Sequence, residues 1–200
     1  LDNKINVTCD IDRLYFYSED PIKASKELIK NQYWKKIKKD LFGQYKLFFK
    51  SLYGDYKLDP FIENIYWIMD QNEKCGNQVT FYFLTQFENK YDGFYRLNTK
   101  SLRKVFRDIK ERNHIIGLHL NYDSFISPEK TLNQYQVFKK IFKEENLYIN
   151  DVVSRQHYLR WKNPITARNC ESANIKIDST ICYPDSPGFK LGTSRDFKYF

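Results

Sequence analysis

Apolar residues change their spacing repeatedly along this chain. Short, nearly continuous apolar runs alternate with longer stretches in which apolar residues recur at helical spacing. The runs predict strands. The first begins near Lys4 in "KINVTCDID", and the others are "QVTFYFLT" (78–85), "HIIGLHL" (114–120), "DVVSRQH" (151–157) and "IKIDST" (175–180). Helical spacing is carried by Trp34, Ile37, Leu41, Tyr45, Phe48 and Leu52 in a stretch from Pro21 to about Tyr53, with a break near Gly43. It returns with Phe61, Ile65 and Ile68, stopping at Gly76, and again with Leu102, Val105, Phe106 and Ile109 inside 98–113. Two further helices are predicted from Ser127 to about Asn146 and over 163–174. Four of the predicted starts share one grammar, a capping side chain followed by proline: Asp20-Pro21, Asp59-Pro60, Ser127-Pro128 and Asn163-Pro164.

Strands that alternate with helices imply an α/β fold with a parallel sheet and right-handed crossovers. An open doubly wound sheet and a (β/α) barrel both fit. No glycine-rich phosphate loop follows the first strand, which argues against a dinucleotide-binding sheet. Both architectures put their chemistry at the carboxyl ends of the strands. Length fits a single domain over 1–200, with 21–76 too long for one crossover and read as a helical elaboration.

Composition changes this picture modestly. Hydrophobic residues at 42% suffice for a core, and aromatics at 18% make that core or a cleft rich in rings. The net charge of +8 is spread rather than gathered in a tail, and its densest run, "KKIKK" at 35–39, reads as a solvated helix face. No nucleic-acid recognition motif accompanies the charge, so nucleic acid is not an expected partner. Cys9, Cys75, Cys170 and Cys182 form no Cys-x-x-Cys pair, which excludes a zinc ribbon and a dithiol redox site. Free thiols, no signal-peptide pattern and no membrane-length apolar run give the expectation of a cytoplasmic rather than a secreted protein.

Candidate chemistry collects at the strand ends. The first strand delivers Asp10 and Asp12, the third His119 with Asn121 and Asp123 beyond it, and the fourth Arg155 and His157. The fifth ends in Asp178, Ser179 and Thr180. Side chains two apart share a face of a strand, so Asp10 and Asp12 point the same way, as do Arg155 and His157. Ionisable groups at the ends of apolar strands are costly unless paired or metal-bound. A divalent ion with an open position resolves that cost, and it lowers the pKa of a bound water from 15.7 to about 7, which is hydrolytic chemistry. His114 opens a strand and reads as a boundary residue, and Asp178 reads equally well as a cap or turn former.

"VTCDID", "FYFL", "RNHIIGLHLNYDS", "SRQHYLRW" and "IKIDSTICYPDSPGFKLGT" together resemble, in order and from about residue 5 onward, the NodB-homology polysaccharide deacetylases of carbohydrate esterase family 4. The likeness is to the branch with a His-x-x-Tyr second motif and an Arg-x-His-Tyr third motif. It implies a distorted (β/α) barrel of NodB type, incomplete at the C-terminal end after residue 200. It implies a hydrolase that removes acetyl groups from a polysaccharide or cell-envelope glycan with a divalent metal, zinc first. On that likeness Asp10 is the base, Asp12 and His119 bind metal, and Arg155 orients the base. The chain departs from the family where a second histidine is expected, because Asp123 stands there. Either Asp123 ligates instead or His157 does, and His157 is preferred. "GFR" is "GFK" at Gly188–Lys190, and the family's late histidine acid is not found. Tyr122, Tyr158 and Trp161 are the expected sugar-stacking rings, with Asp178 in support. A catalytically impaired glycan-binding relative is the alternative.

Overall fold

The computed structural model describes residues 6–14, 25–26, 46, 49, 59–93, 95, 97, 99–149, 151–193 and 195–198. The predicted helical stretch from Pro21 to Tyr53, its Asp20-Pro21 start and the "KKIKK" run lie outside the described residues, except that residues 25–26, 46 and 49 are helical.

Five parallel strands form one sheet in the order β1 (Val7–Ile11), β2 (Val79–Leu84), β3 (Ile115–Leu120), β4 (Val153–Gln156) and β5 (Ile177–Asp178). Each lies within the run predicted for it. The order never reverses, so these strands contain no switch point of the doubly wound kind. Between them run α1 (Pro60–Lys74), α2 (Lys100–Glu111), α3 (Pro128–Glu144) and α4 (Ile165–Ser172).

The cap grammar holds at two of the three described proline starts. Asp59 Oδ1 accepts from the backbone N–H of Phe61 at 2.9 Å, and Ser127 Oγ accepts from that of Lys130 at 3.3 Å. It fails at Asn163. There Pro164 is the N-cap residue with no side-chain cap, and Thr166 Oγ1 accepts from the Lys162 N–H at 2.9 Å instead. Thr99, with no proline behind it, caps α2 by accepting from Leu102 N–H.

The core lies between one face of the sheet and the helices. Phe81, Phe83, Ile116, Leu118 and Leu120 are buried there, as are Leu102, Val105, Phe106 and Ile109 of α2. Phe106 stands edge-on to Phe83, with ring centroids 5.0 Å apart, and touches Phe142 of α3 at the same separation. On α1 the buried residues are Ile62, Ile65 and Met69, so the inward stripe is rotated from the expected Phe61 and Ile68. His114 behaves as a boundary residue: its Nδ1 accepts from Val79 N–H at 3.1 Å, and its Nε2 pairs with Glu73 at 3.1 Å.

The opposite face carries the polar residues of the site, with the apolar Leu84 and Val153 among them. The register aligns Asp10 with Tyr82 and Gly117, and Leu84 with His119 and Arg155. Alternation then puts Asp10, Tyr82, Gly117, His119 and Arg155 on one side. Gly117 makes this crowding possible. A Cβ there would sit 2.5 Å from Tyr82 Cδ1 and 3.1 Å from Val153 Cγ2, so the tyrosine ring lies where a side chain would otherwise stand. All four cysteines are free, and no helix among the described residues is long and apolar enough to cross a membrane.

Candidate metal centre

Three side chains converge at the carboxyl edge of the sheet. Asp12 follows β1, His119 is the next-to-last residue of β3, and His157 begins the turn after β4. Asp12 Oδ1 lies 3.2 Å from His119 Nε2 and 3.5 Å from His157 Nε2. One donor atom from each of the three residues falls within 4.8 Å of the others. The two imidazoles are buried, with side chains 2% and 5% exposed, whereas the Asp12 side chain is 57% exposed. A cation placed here would have a buried histidine floor and an open side toward solvent.

The partners of each imidazole fix which nitrogen faces the cluster. His119 Nδ1 lies 2.9 Å from the carbonyl oxygen of Arg155, an acceptor only, so Nδ1 carries the proton and Nε2 presents a lone pair. His157 Nδ1 faces Asp92 Oδ1 at 3.4 Å, with the same consequence. Burial opposes ionisation of Asp12, but when the two imidazoles carry a second proton on Nε2 the hydrogen bond from His119 and both positive charges outweigh it and hold its carboxyl below the ordinary value; a bound cation would stand where those protons stand. One carboxylate and two imidazoles with Nε2 free form a donor set that can hold a divalent ion and leave coordination positions open.

Asp10, two residues before Asp12, stays out of this cluster. Its Oδ2 is 3.9 Å from His119 Nε2, while its Oδ1 accepts from Arg155 Nη1 at 2.8 Å. Arg155 also donates to Thr8 Oγ1 and to Ser179 Oγ, and its guanidinium lies 4.6 Å from the centroid of the Tyr82 ring. Ser179 Oγ in turn donates to the Tyr82 hydroxyl at 2.8 Å. The two carboxylates of "CDID" therefore have different surroundings, one facing histidines and one facing an arginine.

Other expected residues fall elsewhere. Asp123 accepts from Asn89 Nδ2 at 2.9 Å and lies near Arg160 and Lys130, and the cluster does not include it. Its carboxylate is turned toward cations on the surface, so of the two candidate third ligands the structure gathers His157. Asp178 aligns with Ser154, on the side of the sheet away from Arg155. Its carboxylate accepts from Ser154 Oγ and Thr180 N–H, which is the turn-former role, not support of the centre.

The ring assignments also change. Tyr122 is stacked on Tyr91 at 4.4 Å and carries the Arg160 guanidinium 3.8 Å from its centroid. Contacts that close cannot share one face, so both faces of Tyr122 are covered and it has none for a sugar. Tyr158 remains 63% exposed, with its ring 4.7 Å from that of His157. The chain leaves His157 through two left-handed residues, Tyr158 (φ 57°) and Leu159 (φ 52°), a costly conformation for side chains of this size. Trp161 follows, half-buried.

Sequence reading missed the loop after β2. Asp92 is 2% exposed, and Gly93 packs so closely on the first strand's exit that a Cβ would lie 2.1 Å from the Asp12 carbonyl oxygen. The Asp-Gly pair was the available signal, but it also marks an ordinary turn. Tyr95 ties the same ends together, its hydroxyl accepting from Leu84 N–H and donating to the Ile11 carbonyl. No protein-family profile, curated protein or solved structure significantly matches the chain.

Proposed function

We propose that this chain is a metal-dependent carbohydrate deacetylase of NodB-homology type, a hydrolase that frees acetate from an acetylated glycan. The observation that carries the proposal is the division of labour at the end of β1. Asp12 faces His119 and His157, while Asp10 is excluded from that group and held by Arg155. We read the sheet as part of a distorted (β/α) barrel, because its sequential strand order and the polar residues on its face opposite the helices suit one.

Asp12, His119 and His157 would hold the ion, with zinc the first choice for this donor set. When bound, it polarises the acetyl carbonyl and lowers the pKa of water. Asp10 takes the proton of the attacking water as general base. Arg155 holds Asp10 by its Oδ1, which leaves Oδ2 on the side of His119 for that task. Tyr158 offers the exposed ring beside His157 to a sugar.

The second reading, a deacetylase fold that binds a glycan without turning it over, has one observation in its favour. Of the three histidines in these 200 residues, two are in the cluster and His114 is bonded to Glu73 and Val79, so none of the three stands free to protonate a leaving amine. Metal analysis and acetate release from an acetylated oligosaccharide separate the two. The deacetylase reading expects about one metal ion per chain and release of acetate. It expects loss of both in Asp12→Ala and loss of release alone in Asp10→Asn. Glycan binding by metal-loaded protein without acetate release would establish the second reading. Full turnover by Asp12→Ala would sink the metal assignment.

A further inference from the structure

Asp92 is a buried carboxylate with an unusual concentration of donors. Its Oδ1 accepts from Tyr122 N–H at 2.8 Å and faces His157 Nδ1 at 3.4 Å. Its Oδ2 accepts from Asn89 N–H at 3.1 Å, from Asn121 Nδ2 at 3.2 Å and, at longer range, from Glu88 N–H at 3.4 Å. The Asn121 N–H donates to Gln134 Oε1 at 2.9 Å, which ties the arrangement to α3. Three backbone N–H groups and one side-chain amide converge on a carboxylate that also faces an imidazole.

We infer that Asp92 is the positioning residue of the metal centre, which orients His157 as the third ligand and so replaces the ligand that β3 does not supply. The inference rests on the metal-site reading above. A histidine that binds metal through Nε2 is oriented by what its Nδ1–H donates to, and a carboxylate there also makes the imidazole a stronger donor. His119 receives that service from the Arg155 carbonyl. His157 has no carbonyl in that place, only Asp92. The stretch "NYD" after β3, which ends at Asp123, does not ligate. Instead its first two residues, Asn121 and Tyr122, donate to Asp92, while the neighbouring Gly93 abuts the Asp12 backbone. The loop after β2 therefore fixes two ligands at once: Asp12 through main-chain packing and His157 through a hydrogen bond.

The test is titration of metal-stripped protein with zinc against a chromophoric chelator, joined to ¹⁵N-edited NMR of the imidazoles. Asp92→Asn, which keeps the shape, should weaken zinc affinity by about 10- to 100-fold. In zinc-loaded wild type, His157 should carry its proton on Nδ1 and bind through Nε2. In the variant that Nδ1–H signal should broaden by exchange, while that of His119 is unchanged. A merely structural Asp92 would lower the melting temperature without moving the His157 signal selectively. Unchanged affinity in a folded Asp92→Asn protein overturns the inference, and so does wild-type His157 protonated on Nε2, a result that needs no variant. Failure of the wild type to bind zinc would instead overturn the metal-site reading beneath it.

Discussion

Gly117 and Tyr82 show how a single missing side chain decides what a sheet face can carry. The Tyr82 ring occupies the space a β-carbon of residue 117 would need, and its hydroxyl is held by Ser179. Gly117→Ala should therefore cost about 1–3 kcal/mol in urea unfolding, the usual range for overpacking. The same change in a Tyr82→Ala background should cost much less, because the obstacle is gone, and the double-mutant cycle reads the difference. Asp178 makes a second residue-scale case. As a residue it is half-buried, but its carboxylate points to Ser154, which is fully buried, and burial is the chief reason its pKa is raised. A raised acid binds more protons folded than unfolded once the pH exceeds about 3.9, the unfolded value. Its contribution to stability is therefore fully present below that pH and is lost as pH rises through the folded value. Asp178→Asn keeps an acceptor for the Thr180 N–H and never ionises. The variant should gain on the wild type between pH 4 and pH 7, with urea midpoints at both ends as the measure.

Elements were the most legible level, because their signals are local. Periodicity in "LRKVFRDI" put Leu102, Val105, Phe106 and Ile109 on one stripe, and all four are buried. Caps at Asp59 and Ser127 could be read because donor and acceptor lie within three residues. Asn163 failed for a physical reason: Thr166 lies one turn in, and its hydroxyl both accepts from Lys162 N–H and donates to the Phe125 carbonyl at 2.8 Å. That second partner, 41 residues away in sequence, is invisible to any cap rule. Thr166→Val should thus cost about 1–3 kcal/mol, since it strands buried groups, whereas Asn163→Ala should stay within about 0.5 kcal/mol. Thermal or urea melts of the two variants show which side chain secures the start of α4. The site divides along the same line. Asp10, Asp12, His119, Arg155 and His157 could be listed because they end recognisable strands. Asp92 could not, because its meaning comes from His157, which lies 65 positions away.

At the scale of the whole molecule, the feature to explain is that Asp10, His119 and Arg155, ionisable residues of three strands, gather on the face opposite the aromatic core. Arg155 belongs to β4 and Asp10 to β1, with β2 and β3 between them. Three strand steps of about 4.8 Å separate their backbones. The arginine bridges that distance by lying over Tyr82, with Thr8, Ser179 and Asp10 each taking a nitrogen. Such a brace uses the planar fork of guanidinium, which an ammonium lacks. It also sets where the candidate base stands relative to the His119 and His157 cluster. If Arg155 acts by placing Asp10, then Arg155→Lys should restore little of what Arg155→Ala removes. Acetate release should fall by about 100-fold in both, the scale of a catalytic group displaced by an ångström. Zinc affinity should change far less, because Arg155 supports His119 through its backbone carbonyl, which both variants keep. Equal losses of metal binding and release would show that Arg155 holds the sheet together rather than the base.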